Sequence, residues 1–129
     1  MFEFFKKVFK KFFKKSKKQP NEIVIHVAHE FSNNLGGRKI TDGKFSAEEF
    51  QNSFLIPAIE KNPEQITIIL DELYGIPAAW LEETFGGIYR RFPTLNPTLF
   101  YIHSSESWLW PYCTLATKYI HQVVDHCPK

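Results

Sequence analysis

The chain has 129 residues, a formal net charge of +2, 43% hydrophobic and 16% aromatic residues. That length fits one domain plus a tail, and its two cysteines, Cys113 and Cys127, are too few for a disulfide framework. The charge is unevenly divided: residues 1–18 hold eight lysines and one acid, net +7, which leaves eight bases and thirteen acids, net −5, for the remainder. A basic arm before a mildly acidic body is a cue for an anionic partner.

Residues 1–18 read MFEFFKKVFKKFFKKSKK. At the helical period Phe2, Phe5, Val8, Phe9, Phe12 and Phe13 share one face, and Lys6, Lys7, Lys10, Lys11, Lys14, Lys15, Lys17 and Lys18 share the other. Lysine pairs interrupt the run too often for a membrane span, and it has neither the apolar centre nor the cleavage site of a secretory signal. The pattern predicts a basic amphipathic helix lying at an anionic membrane surface, each lysine contributing about 1 kcal/mol. A solvated or core-docked tail is the first alternative, although six phenylalanines argue against disorder. A nucleic-acid arm is the second; the continuous Phe stripe and the lack of Arg argue against it, and no nucleic acid is expected as a partner. Residues 19–21 read as a linker, with Pro20 stopping the helix.

The body, residues 22–129, opens with EIVIHVA (22–28), an alternating β-branched run that predicts a strand. Turn pairs follow, with room for a short strand at 38–41. Ser46 and Glu49 form a capping box ahead of a helix with a Phe50, Phe54, Leu55, Ile59 stripe, which Pro57 should kink or divide. QITIILD (65–71) is an apolar run of the buried central-strand kind. Residues 77–91 predict a helix opening on Pro77, with Gly86-Gly87 marking close packing or a break. LFYIH (99–103) is a third strand, and 104–127 a final helix or helix pair. Strands alternating with helices imply an α/β fold: a small, mainly parallel or mixed sheet flanked by helices.

Few residues suggest chemistry. His26, His29 and Glu30 look like metal ligands, but positions i and i+3 of a strand face opposite ways, so they read as strand-edge residues. Phosphate-binding glycine loops and nucleophile elbows are absent from the sequence. Asp71 and Glu72 sit at a strand's carboxyl end, where α/β folds place ligands. A non-enzymatic domain without cofactor or metal is the expectation.

The runs GGRKITDGKFSAEEFQNSFLIPAIEKN and ITIILDELYGIPAAWLEETFGGIYRR carry a resemblance. Gly37-Arg38, Asp42-Gly43, Phe45-Ser46, Glu49-Phe50, Leu55, Pro57, Leu70-Asp71, Gly75, Pro77, Leu81-Glu82-Glu83 and Phe85-Gly86-Gly87 together resemble the STAS-like family of unknown function. That family is distantly similar to sulfate-transporter and anti-sigma-factor-antagonist domains. The resemblance covers about residues 27–91, half the chain. It implies a small sheet flanked by helices and a regulatory protein–protein role. In the better-known relatives, a histidine-kinase-like ATPase phosphorylates a serine at the start of the helix after the central strand. Here that stretch is Gly75-Ile76-Pro77-Ala78-Ala79-Trp80, with no hydroxyl to phosphorylate.

The resulting expectation is a partner-binding surface from Arg38, Asp42, Gly43, Asp71, Gly75, Pro77, Ala78, Ala79 and Trp80, with Trp80 read as either a core residue or an exposed contact. The arm would place the protein in the cytoplasm, peripheral at the inner face of the membrane. A ligand-binding or enzymatic domain using Arg38, Asp71, Glu72 and His103 is one alternative, and requires those residues to converge. A membrane-active effector restrained by its own body is another.

Overall fold

The computed structural model describes residues 21–126, so the predicted amphipathic helix lies outside the described residues. Three strands form one parallel sheet: β1 (Glu22–His26), β2 (Gln65–Ile69) and β3 (Phe100–His103), in that order across the sheet. The α/β class expected from alternating strands and helices is present, and the sheet, expected to be mainly parallel or mixed, is parallel throughout these three strands. In the register, His26 lies opposite Ile69 and Ile69 opposite His103, so one row crosses the carboxyl edge.

β1 is shorter than its β-branched run. It stops at His26, and Val27–Glu30 wind into a single helical turn, α1. The Glu30 carboxylate accepts the backbone N–H of His26 at 2.9 Å, and Val27 is fully buried beneath the turn. Val27 stays on the core side, the side that its alternation with Ile23 and Ile25 assigns it. The short strand or hairpin for which residues 38–41 left room does not form. A 3-10 turn, Ile40–Asp42, takes its place, because the Asp42 carboxylate accepts the Lys39 N–H at 2.9 Å and closes the backbone on itself.

Helix α2 (residues 47–60) starts at the predicted cap: Ser46 Oγ accepts the Glu49 N–H at 3.1 Å. Glu49 reaches back, but to the N–H of Phe45 at 3.0 Å, one residue before the cap. Pro57 does not divide the helix. A wide π turn, Gln51–Leu55, precedes it and carries the axis through to Ile56–Glu60. Helix α3 (residues 78–91) begins after Pro77 and contains a second π turn, Glu82–Gly86. Gly86 and Gly87 mark close packing. A Cβ on Gly86 would sit 3.3 Å from Val123 Cγ2, and one on Gly87 would sit 3.0 Å from Gln51 Nε2. The chain ends in one helix, α4 (Trp110–His126), entered through a 3-10 turn at Ser107–Leu109.

The helices meet the sheet on one face. Ile25, Ile66, Ile68, Phe100 and Ile102 point into a core shared with Phe50, Trp80, Phe85, Ile88 and Tyr89. Fully burying an Ile or Phe side chain in this core contributes about 1.5–3 kcal/mol. On the other face Val24, Tyr101 and His103 are exposed, and Glu22, Gln65 and Thr67 are joined by hydrogen bonds.

Candidate functional site

Two regions gather the polar side chains. The first joins the loop after α1 to α3. The Arg38 guanidinium donates to Glu82 and lies 3.5 Å from Glu83, while Lys39 Nζ reaches Glu83 at 3.2 Å. Arg90, two turns along α3, donates to Glu82 at 2.7 Å. The hydrogen bond from Arg90, opposed by partial burial and aided by Arg38, holds the Glu82 carboxyl below its ordinary range. The loop itself is tied down. Gly36 donates to Phe45 O at 2.8 Å, and Ala47 and Glu48 donate to Gly37 O and Arg38 O at 2.8 and 2.9 Å. Ile40 N donates to Glu48 Oε1 at 2.9 Å, which leaves the Ile40 side chain 53% exposed at the tip.

Of the nine residues expected to meet a partner, the structure brings one subset together. Arg38, Asp42 and Gly43 lie on the exposed loop fastened to α3, and Pro77 and Ala78 are exposed where that helix begins. Ala79 is half-buried and Gly75 is exposed. Trp80 does not join them: of its two readings, core residue or exposed contact, the structure has the core one, fully buried against Phe50 with ring centroids 5.3 Å apart, and it offers no surface to a partner. Asp71 is engaged elsewhere, at the sheet's carboxyl edge.

That edge is the second region. Asp71 accepts from Ser104 Oγ at 2.6 Å, Ser105 N at 2.8 Å and Ser105 Oγ at 2.8 Å. Burial raises its pKa, but the serine hydrogen bonds outweigh burial and leave the carboxyl below its ordinary value. Next to it Glu72 adopts a left-handed backbone, φ +69°, fixed by its N–H donating to Glu106 Oε2 at 2.8 Å. The Glu72 side chain meets His29 Nε2 at 2.7 Å, and the His26 and His29 rings stack in parallel with centroids 3.8 Å apart. Trp108 Nε1 donates to the second oxygen of Glu106 at 2.9 Å. A cleft of about 410 Å³ opens beside this group, lined by Asn33, Glu72, Leu73, Tyr74, Glu106 and Trp108.

The ligand set Arg38, Asp71, Glu72 and His103 does not assemble as one pocket. Arg38 is committed to α3, Asp71 to two serines, Glu72 to His29, and His103 stacks on Tyr101. What sequence reasoning missed is the pairing of His26 with His29. Helical residues three apart share a face, so the turn at Val27 reverses the strand argument. The usable signal was Glu30, four residues after His26 and able to accept its N–H.

Cys113 is half-buried on α4, and burial pushes its thiol pKa up. Among the described residues no helix is long and apolar enough to cross a membrane. Comparison with protein-family models, curated proteins and solved structures finds no match for the chain.

Proposed function

We propose that this chain is a non-enzymatic regulatory module of STAS-like type, held at an anionic membrane surface by residues 1–18. The partner is a protein, in the STAS-like reading a histidine-kinase-like ATPase. The observation that carries the reading is the fastening of the loop to α3 by Arg38, Lys39, Glu82, Glu83 and Arg90. It turns two segments far apart in sequence into one preorganised surface, with Ile40 projecting from it and Pro77 and Ala78 exposed where α3 begins. Preorganisation lowers the entropy lost when a partner docks. Ala78 and Ala79 carry no hydroxyl, so docking here is independent of phosphorylation at the helix start. The arm supplies location: its Phe face enters the acyl boundary and its lysines meet anionic headgroups.

Two assays test the halves separately. In capture from the native cell, the full chain and a chain lacking residues 1–18 should both retain the ATPase, while Ile40→Asp, exposed and outside the core, should lose it. Retention of that partner by Ile40→Asp removes this surface from the proposal. In vesicle sedimentation, the full chain should bind vesicles containing phosphatidylglycerol and the shortened chain should not. Equal binding by both removes the tether.

A further inference from the structure

We propose that His26, His29 and Glu72 form a binding site for one divalent transition-metal ion of the zinc class. This goes beyond the docking role and does not depend on it. Each of the three residues offers a ligand atom, and those atoms lie within 4.8 Å of one another. It is the one such group of His, Cys, Asp and Glu among the described residues. A tetrahedral zinc with bonds near 2.0–2.1 Å sets its ligand atoms about 3.3 Å apart, so the widest pair closes by no more than about 1.5 Å. His29 and Glu72 can supply that movement, because their side chains are 56% and 61% exposed. His26 is fixed by the end of β1 and by its N–H bond to Glu30. Two imidazoles and one carboxylate suit zinc, nickel, cobalt or ferrous iron, and leave a further position open to solvent.

The simpler description is an exposed His–Glu pair on the surface. Such a pair leaves the surroundings of His26 unexplained and makes no use of the support behind Glu72. The Nδ1 of His26 is buried and has no hydrogen-bond partner, an arrangement that is costly unless something occupies it. Glu72 is also held in the left-handed backbone region, unfavourable for a residue with a Cβ, by the Glu106 carboxylate on its N–H. Glu106 is in turn oriented by Trp108. A metal site needs this outer support, because partners behind the ligands aim them. The location also fits, since His26 ends β1 and His29 and Glu72 lie just beyond the carboxyl ends of β1 and β2, where parallel sheets place ligands.

The test uses the full chain after chelator treatment. Zinc chloride is titrated calorimetrically, and cobalt(II) serves as a second probe whose visible spectrum reports coordination. We expect one equivalent bound, an intense tetrahedral-type cobalt spectrum, and a zinc-dependent rise in the thermal midpoint that a chelator reverses. His29→Ala and Glu72→Gln should each lower zinc affinity at least ten-fold while circular dichroism stays unchanged. Their exposure protects the fold, so a loss reads on the site. Cys113→Ser/His121→Ala, around the separate cleft on α4, should bind zinc as the parent does. Absence of stoichiometric binding overturns the proposal, as does His29→Ala binding as tightly as the parent.

Discussion

The indole Nε1 of Trp80 donates to the carbonyl oxygen of Phe45 at 3.2 Å, joining the start of α3 to the residue before the α2 cap. Phe45 has a left-handed backbone, φ +58°, and its carbonyl also accepts the Gly36 N–H at 2.8 Å. Trp80 is thus the buried bolt under the loop that carries Arg38. Trp80→Phe should cost roughly 1–2 kcal/mol, from the lost hydrogen bond and a small void. Trp80→Ala should cost about 3–5 kcal/mol. Urea unfolding monitored by circular dichroism checks both, and an unchanged denaturant slope shows that the native state was the one altered.

Two glycines of the same surface should respond in opposite senses to one added methyl group. A Cβ at Gly36 would lie 2.1 Å from the carbonyl oxygen of Lys44, a backbone atom that cannot step aside. Gly36→Ala should therefore destabilise by about 2 kcal/mol or more. A Cβ at Gly75 would meet nothing within 4 Å, and that backbone is not left-handed. Gly75→Ala should stabilise by about 0.4–1 kcal/mol by restricting the unfolded chain. Thermal unfolding of the two variants beside the parent decides it.

Asp71 and Glu82 both ionise more readily in the folded protein than in the unfolded chain. Their stabilising contribution is whole above the unfolded carboxylate pKa, about 4, and is lost as pH falls through the lower folded values. Stability should fall on acidification below about pH 4. Asp71→Asn and Glu82→Gln should each be less stable at neutral pH and lose less on acidification than the parent. Added salt should separate them: the Arg38 and Arg90 pairs of Glu82 are screened, while the neutral serine donors of Asp71 are not. Urea midpoints across pH, at low and high salt, provide the measurement.

Arg38 and Glu82 are partly exposed, at 44% and 25%. Their coupling energy in a double-mutant cycle should be no more than about 1 kcal/mol. Arg38→Ala should leave global stability nearly unchanged but speed amide exchange in residues 36–44, since the loop loses its tie to α3. Unaltered exchange in that segment would show that the backbone bonds to α2 hold the loop without the ion pairs.

The sequence by itself determined the three strands, their alternation with helices and hence the α/β class with a mainly parallel or mixed sheet; the pairing made it parallel. Short β-branched or apolar runs bounded by turn residues have few other stable solutions. It determined the Ser46 cap and the start of α3 after Pro77, because capping and proline act within a few residues. The continuity of α2 through Pro57 was not legible. The π turn at Gln51–Leu55 sits where Gln51 Nε2 donates to Glu83 O at 2.6 Å and Oε1 accepts from Arg91 at 2.7 Å, both across to α3. The union of the 36–44 loop with Glu82 and Glu83 was likewise set by packing between segments more than thirty residues apart. The His26–His29–Glu72 group shows the difference most directly. Its residue types are readable, but the faces they share depend on the strand stopping at His26, where the helical turn Val27–Glu30 and the Glu30 bond to the His26 N–H replace the β run. Local propensity is a sum over neighbours in sequence, whereas the end of β1 was decided by neighbours in space.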